Sequence, residues 1–220
     1  MAAPDIFADR ADAGRRLAQE LAKRSFVDPV VYALPRGGVP VAAPVAEALR
    51  APLDILLVRK IGVPSQPELA AGAVVDGADP IAVWNDDVTS ACGLGPEELD
   101  ALKREQLALI EKRRALYGAS RAPVDPAGRT AIVVDDGLAT GATARAAIAA
   151  LRRRGARAVV LAVPVAPAEA VPQFRALCDE VVCLSQPSWF PGVGAFYSDF
   201  GQTTDAQVVA ALKAARTHFQ

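Results

Sequence analysis

The chain has 220 residues, 52% of them apolar, enough to bury a sizeable core in one large domain or two small ones. Lys plus Arg number 24 against 25 Asp plus Glu, a formal net charge of −1. That balance argues against a disordered chain and against a protein whose main task is coating nucleic acid or an acidic membrane, but it leaves room for a local basic pocket. Cys92, Cys178 and Cys183 form no CxxC pair, so neither a disulfide framework nor a structural zinc site is expected, and the expected compartment is a reducing cytoplasm. The single histidine, His218, lies close to the last residue, where fraying is expected. Histidine-dependent triads, zinc proteases and imidazole general-base chemistry are therefore disfavoured.

Asp5, Asp9, Arg10 and Asp12 break up any apolar signal core near the start. Asp12 to Lys23 then reads as a helix, inside a helical N-terminal region of 5–25, with Leu17 and Leu21 on one face. Val30 to Leu34 is a short buried strand ending at Pro35-Arg36-Gly37-Gly38, and Val41 to Leu49 is an Ala-rich helix. Leu53 to Val58 reads as a second strand. Ile61 to Ala71, with Gly62, Pro64, Ser65 and Pro67, reads as an ordered turn or a loop that can move. Ala73 to Val75 and Ile81 to Trp84 are short strands on either side of an Asp76-Gly77 turn.

Pro96 to Tyr117 is the clearest helix, with Pro96, Glu97 and Glu98 at its positive end and Lys112, Arg113 and Arg114 at its negative end. Ala131 to Val134 is a strand running into Asp135-Asp136. A helix over Gly141 to Arg154, a strand over Ala158 to Val163, a helix over Ala168 to Leu177 and a strand over Val181 to Leu184 follow. The longest apolar run, Ala158 to Ala168, holds Pro164 and Pro167 and falls far short of the roughly 18 residues of a spanning helix, so a soluble protein is expected. Arg152-Arg153-Arg154 closes a helix ahead of Gly155, where cations offset the dipole, and is read that way rather than as a nucleic-acid patch. Alternating strands and helices predict an α/β fold with a largely parallel sheet covered on both faces.

In such a sheet ligands sit outside the carboxyl ends of the strands. The loop Val133-Val134-Asp135-Asp136-Gly137-Leu138-Ala139-Thr140-Gly141-Ala142-Thr143 has the makings of a phosphate cradle. Its small residues allow close backbone approach, and a new helix near Gly141 aims free amides and its dipole at an anion. Thr140 and Thr143 add hydroxyl donors. The two acids repel phosphate, so they suit a neighbouring polyol or a cation. The loop lacks the Lys-Ser/Thr of a Walker A motif, and it is not GxGxxG.

Val133 to Thr143 resembles the signature with which type I phosphoribosyltransferases bind 5-phosphoribosyl 1-diphosphate (PRPP), and the likeness runs from about Val30 to about Asp205. Its surroundings resemble an uncharacterised bacterial branch of predicted phosphoribosyltransferases. The resemblance implies the type I phosphoribosyltransferase fold over residues 1–220, a mainly parallel twisted sheet with a small hood at about 185–205. It implies that Asp135 and Asp136 hold the ribose hydroxyls and belong to the catalytic set. Gly137, Leu138, Ala139, Thr140, Gly141, Ala142 and Thr143 would hold the 5-phosphate, and Arg36, Gly37 and Gly38 the diphosphate.

Val58 to Glu68 is similar to the family's mobile catalytic loop, in which Arg59 and Lys60 would neutralise the departing diphosphate. Glu68 reads as a solvated acid, with a proton-handling role as the alternative. Trp189, Phe190 and Asp199 lie in a stretch similar to the base-recognising hood of purine enzymes; equally, that stretch reads as an apolar cluster closing the sheet edge. Where 6-oxopurine members carry an acid this chain has Ala139, as adenine-type and uracil-type members do, which argues against hypoxanthine-guanine salvage.

The implied activity is transfer of the phosphoribosyl group from PRPP to a nucleobase or related nitrogen acceptor. Mg²⁺ would be bound through PRPP and water, with Asp135 and Asp136 as its protein contacts. The implied assembly is a homodimer without nucleic-acid or membrane partners. A catalytically silent PRPP or nucleotide sensor is the alternative, and a hydrolase or transferase acting on an unusual nucleotide is a third.

Overall fold

The computed structural model describes residues 6–77, 79–117 and 123–217, and His218 lies outside them. The elements in chain order are α1 (Arg10–Leu21), β1 (Pro29–Ala33), α2 (Gly38–Leu49), β2 (Leu53–Ile55), β3 (Val58–Val63), β4 (Gln66–Val75), β5 (Ile81–Trp84), α3 (Asp86–Ala91) and α4 (Pro96–Leu116). They continue with β6 (Thr130–Val134), α5 (Ala142–Arg153), β7 (Ala158–Val165), α6 (Ala170–Arg175), β8 (Glu180–Ser185), a 3₁₀ turn at Val193–Phe196, and α7 (Asp205–Thr217).

Five strands form a parallel sheet in the order β2-β1-β6-β7-β8. Successive side chains go to opposite faces. Val31, Ala33, Ile132, Val134, Val160 and Ala162 join Leu17, Leu21, Val41, Val45, Val208 and Leu212 of α1, α2 and α7 in one buried cluster. Val30, Tyr32, Ala131, Val133, Leu161 and Val163 join Ala147, Leu151 and Phe174 of α5 and α6 in another. With both faces covered, the central strands are mostly apolar, and β6, from Thr130 to Val134, is buried along its whole length.

β1 connects outward to β2 on one side, and β6 continues outward to β7 and β8 on the other. The order therefore reverses between β1 and β6, which places a crevice at their carboxyl ends. The register pairs Ala33 with Val134, so Leu34–Gly38 and Asp135–Asp136 leave the sheet side by side.

The segment after β2 departs from the sequence expectation twice. Leu53 to Val58 is not one strand: Leu56 N still donates to Ala33 O at 3.0 Å, continuing the β1 ladder, while Leu57 O accepts from Asp76 N at 2.9 Å in another sheet. The apolar run from Ile55 to Val58 gives no sign of a change of partner. Nor is Ile61 to Ala71 a loop. It is the heart of an antiparallel hairpin of β3 and β4, extended by β5 into a three-stranded sheet. Pro64 and Ser65 supply the turn between the strands, and the register slips on both sides of Gly62, where Pro67 packs against it. Proline cannot donate to the ladder, which suits it to such an irregularity.

Helix ends shift as well. α1 begins at Arg10 because Asp9 caps it, its Oδ1 accepting from Asp12 N at 2.7 Å, and α6 spans only Ala170–Arg175. α3 and α7 carry no separate expectation from the sequence. α4 opens as anticipated on Pro96, with Glu98 Oε2 accepting from Gly95 N at 3.0 Å. The arginines closing α5 tie it to its neighbours. Arg152 donates to Leu177 O at 2.8 Å, Arg153 to Ala82 O at 3.0 Å, and Arg154 to Asp79 O at 3.0 Å and to Asp76 O.

Candidate functional site

The crevice between β1 and β6 gathers most of the residues singled out from the sequence. Leu34 N donates to Val134 O at 2.9 Å, which carries the β1 ladder into the loop, and the Pro35–Arg36 peptide is cis. Gly37 has φ −60° and ψ −35°, an ordinary conformation for any residue, so its lack of a side chain serves space. A Cβ there would run into the Asp136 carboxylate, with Cγ 2.5 Å away, and one on Gly38 would lie 2.6 Å from Val134 O. The backbone of this loop and the paired acids are in direct contact.

Asp135 Oδ1 accepts from Asp136 N at 2.9 Å. Burial, and then the Asp136 charge, push the Asp135 carboxyl well above the usual carboxylate range, against the opposing pull of Arg10. Asp136 is held differently. Its Oδ2 accepts from Arg10 Nε at 2.7 Å, and its backbone carbonyl accepts from Tyr197 O–H at 2.6 Å. Burial and the neighbouring aspartate raise the Tyr197 phenol, keeping it a neutral donor. Arg10 and Tyr197 are site residues that the sequence reading missed: each lies far along the chain from Asp136, and no local spacing signals the meeting.

Past the acids, Leu138 N donates to Val165 O at 2.9 Å, while Ala139, Thr140, Ala142 and Thr143 are exposed. Gly141 caps α5 at φ 68°, a left-handed conformation that favours glycine, with Phe174 directly beneath it. α5 thus starts at Ala142 with its amino end facing the crevice. Arg36 Nη1 lies 3.9 Å from Asp205 Oδ1, which also accepts from Tyr117 O–H at 2.9 Å.

Arg59 Nε donates to Gln106 Oε1 of α4 at 2.9 Å. A cavity of about 50 Å³ is lined by Pro35, Val58, Arg59, Ile110, Arg113 and Thr143 among others, so Arg59 stands beside both the first loop and the start of α5. Arg113 stands there too; in sequence it looked like an ordinary C-terminal helix charge. Strand alternation sends Lys60 the other way, onto Glu68 O within the hairpin, and Glu68 itself is exposed. Beneath the hairpin, Asp76 Oδ1 accepts from Leu57 N at 2.7 Å, and its other oxygen pairs with Arg114. Burial pushes the Asp76 carboxyl up to about 6, although Arg114 opposes the shift.

In the 185–205 segment, Phe190 stacks on Phe196 at 5.5 Å between ring centroids, Asp199 Oδ1 accepts from Gly201 N at 2.9 Å, and Trp189 is 77% exposed. Phe7, Phe196 and Tyr197 form a small buried cluster with Ala13 and Val165. Val193 packs on Gly137, bringing the segment over the start of the loop that follows β6.

A family model described as "Phosphoribosyl transferase domain" matches residues 5–200. The chain belongs to the phosphoribosyl transferase family. Two curated proteins of Mycobacterium tuberculosis, "Putative phosphoribosyl transferase Rv0571c" (strain ATCC 25618 / H37Rv) and "Putative phosphoribosyl transferase MT0597" (strain CDC 1551 / Oshkosh), are each 50% identical to this chain over 214 residues. The match covers 97% of this chain and 48% of each relative, so the chain spans about half the length of those relatives. The crystal structure of TT1426 from Thermus thermophilus is 43% identical, with a TM-score of 0.82 over 94% of this chain and 97% of that one. Among the described residues, no helix is long and apolar enough to cross a membrane.

Proposed function

We propose that this phosphoribosyl transferase moves the 5-phosphoribosyl group of PRPP onto a ring nitrogen of a nucleobase-like acceptor and releases diphosphate. The observation that carries the reading is the register of β1 against β6, which sets Arg36–Gly38 beside Asp135–Asp136, with the amino end of α5 behind them. Asp135 and Asp136 take the ribose hydroxyls, Gly137–Thr143 the 5-phosphate, and Arg36, Gly37 and Gly38 the diphosphate. Arg59 reaches the leaving group from the hairpin, and Lys60 joins it when the hairpin closes. Trp189, Phe190 and Asp199 face the acceptor in the hood at about 185–205. Residues 1–220 act as one transferase domain, and the family resemblance supports a cytoplasmic homodimer.

The acceptor nitrogen attacks C1 of the ribose as the C1–O bond breaks, the electron pair leaves with diphosphate, and the proton that the nitrogen carried is released to solvent with the products. The transition state resembles an oxocarbenium ion, so the protein's work is to align two substrates, exclude water and stabilise the leaving group. No histidine is needed. Mg²⁺ fits the donor set: the hard carboxylate oxygens of Asp135 and Asp136 edge the crevice, and this cation takes most of its ligands from water and phosphates rather than from a protein cage. Held beside Asp135 and Asp136, it would supply positive charge to offset the charge that develops on the leaving diphosphate.

The test is diphosphate release from PRPP with Mg²⁺ across a panel of nucleobases, beside calorimetric PRPP binding. Asp135→Asn with Asp136→Asn should abolish binding and leave the circular dichroism spectrum unchanged. Unaltered affinity in that double variant refutes the site. Saturable binding to the unmodified chain without turnover on any acceptor favours a PRPP sensor instead.

A further inference from the structure

Arg10, the first residue of α1, meets Asp136 from the other end of the chain. Its Nε lies 2.7 Å from Asp136 Oδ2, and the two side chains are only 12% and 15% exposed. Its Nη1 donates to Gly201 O at 2.7 Å, and the guanidinium carbon stands 3.9 Å from the centre of the Phe200 ring. Backbone bonds fasten the same two segments together: Phe7 N to Phe196 O at 2.9 Å, Ser198 N to Phe7 O at 2.8 Å, and Asp199 N to Ala8 O at 2.9 Å. A single guanidinium therefore joins the start of the chain, one of the paired acids and the stretch that follows the 3₁₀ turn.

The chemistry of this contact is specific. Arginine offers several donors in a fixed plane and an aromatic-stacking face, and here it uses both. Arg10 takes one oxygen of Asp136 while Gly37 packs against the same carboxylate, so the rotamer is set from two sides. Two adjacent aspartates with no cation would repel a substrate carrying phosphate at both ends. Arg10 offsets one of those charges while its Nε and Nη1 are held by Asp136 and Gly201.

We propose that Arg10 is a positioning residue for the phosphoribosyl donor: it holds the Asp136 carboxylate by Oδ2, leaves Oδ1 for a ribose hydroxyl, and couples that grip to the seating of residues 196–201. The inference rests on the reading of Asp136 as a ribose ligand given above. It adds a residue from outside the strand-end loops and makes the N-terminal helix part of donor recognition.

The experiment compares the unmodified chain with Arg10→Met, Arg10→Lys, Asp136→Asn and the Arg10→Met/Asp136→Asn pair, using calorimetric PRPP binding with Mg²⁺ and steady-state kinetics. Arg10→Met should raise the PRPP Kd and KM by roughly 10- to 100-fold, the range of one charge-assisted hydrogen bond, while changing the acceptor KM less than about twofold. Arg10→Lys should fall between, because it keeps the charge and loses the planar stack. Added methylguanidine should restore part of the lost PRPP affinity of an Arg10→Ala variant, which leaves the space it would occupy, and a purely architectural role would not allow that. On the Asp136→Asn background, Arg10→Met should cost less than about threefold further, since the partner is already gone.

Unchanged PRPP affinity in Arg10→Met, in a chain that otherwise binds PRPP, overturns the inference and leaves the functional reading standing. A loss that methylguanidine does not restore in Arg10→Ala and that persists in full for Arg10→Met on the Asp136→Asn background also overturns it. An unmodified chain that binds no PRPP overturns both together. Should Arg10→Met fail to fold, Arg10→Lys carries the comparison: equal affinity there refutes a role for the planar fork.

Discussion

Gly37→Ala isolates the contact between the first loop and the paired acids. The backbone at Gly37 lies in the right-handed helical region, so alanine adds no conformational penalty, and its only consequence is a methyl group where the Asp136 carboxylate now sits. That carboxylate would have to retreat by roughly 1 Å or more to regain ordinary van der Waals separation. It is not free to do so. Oδ2 is bonded to Arg10 and the Asp136 backbone is anchored by Tyr197, so the retreat breaks the charge-assisted bond. Losing such a bond costs about 1.5–3 kcal/mol. For a chain of this size the melting temperature should fall by roughly 3–12 °C. PRPP affinity should fall by about 10- to 100-fold, because the displaced carboxylate is the proposed ribose ligand. Urea denaturation followed by circular dichroism gives the free-energy loss, a thermal scan the shift in melting temperature, and calorimetry the affinity. On an Asp136→Ala background the obstacle is gone, and the stability cost of Gly37→Ala should shrink to a few tenths of a kcal/mol. An undiminished cost on that background, or wild-type stability and affinity in the single variant, would refute the steric reasoning.

Arg59→Met and Arg113→Met should each weaken product inhibition by diphosphate, by about tenfold or more, with little change in acceptor KM; diphosphate inhibition constants equal to wild type would remove them from leaving-group binding. Asp76 makes stability depend on pH. Its folded pKa of about 6 lies above the ordinary value of 3.8, so the protonated form is favoured on folding, and that contribution is complete below pH 3.8 and lost as pH rises through about 6. The charges around it are Arg114, Arg154 and Asp54. Between pH 5 and pH 7 the chain should lose about 1 kcal/mol of unfolding free energy from this group, and Asp76→Asn should remove that slope. Identical pH slopes for the two proteins in urea titrations would show that burial does not govern this carboxyl.

The hairpin of β3 and β4 shows where local pattern stops informing. Leu53 to Val58 is apolar but for Asp54, and nothing in such a run says that Leu56 bonds to β1 while Leu57 bonds to the next sheet. Gly62, Pro64, Ser65 and Pro67 read as a loop because each disfavours a regular ladder, yet the structure absorbs them in a turn and a register slip. Arg59 and Lys60 are neighbours in sequence and looked like a pair, but a period of two sends one towards α4 and the other along the hairpin. Arg113 looked like a helix-end charge because its position on α4 explains it locally. Only the packing of α4 against the hairpin brings it to the crevice.

The alternation of strands and helices that builds the covered parallel sheet and the loop of acids, glycines and threonines were written locally, in apolar periodicity and in small residues after buried strands. These features depend on a few neighbouring residues, so they survive reading in one dimension. Tertiary structure alone decided that β1 lies against β6, that Gly37 makes room for Asp136, that Arg10 holds that carboxylate and that Tyr197 anchors the Asp136 backbone carbonyl. Those contacts join residues as many as 126 positions apart, and they exist only once burial of the sheet has fixed the backbone in space.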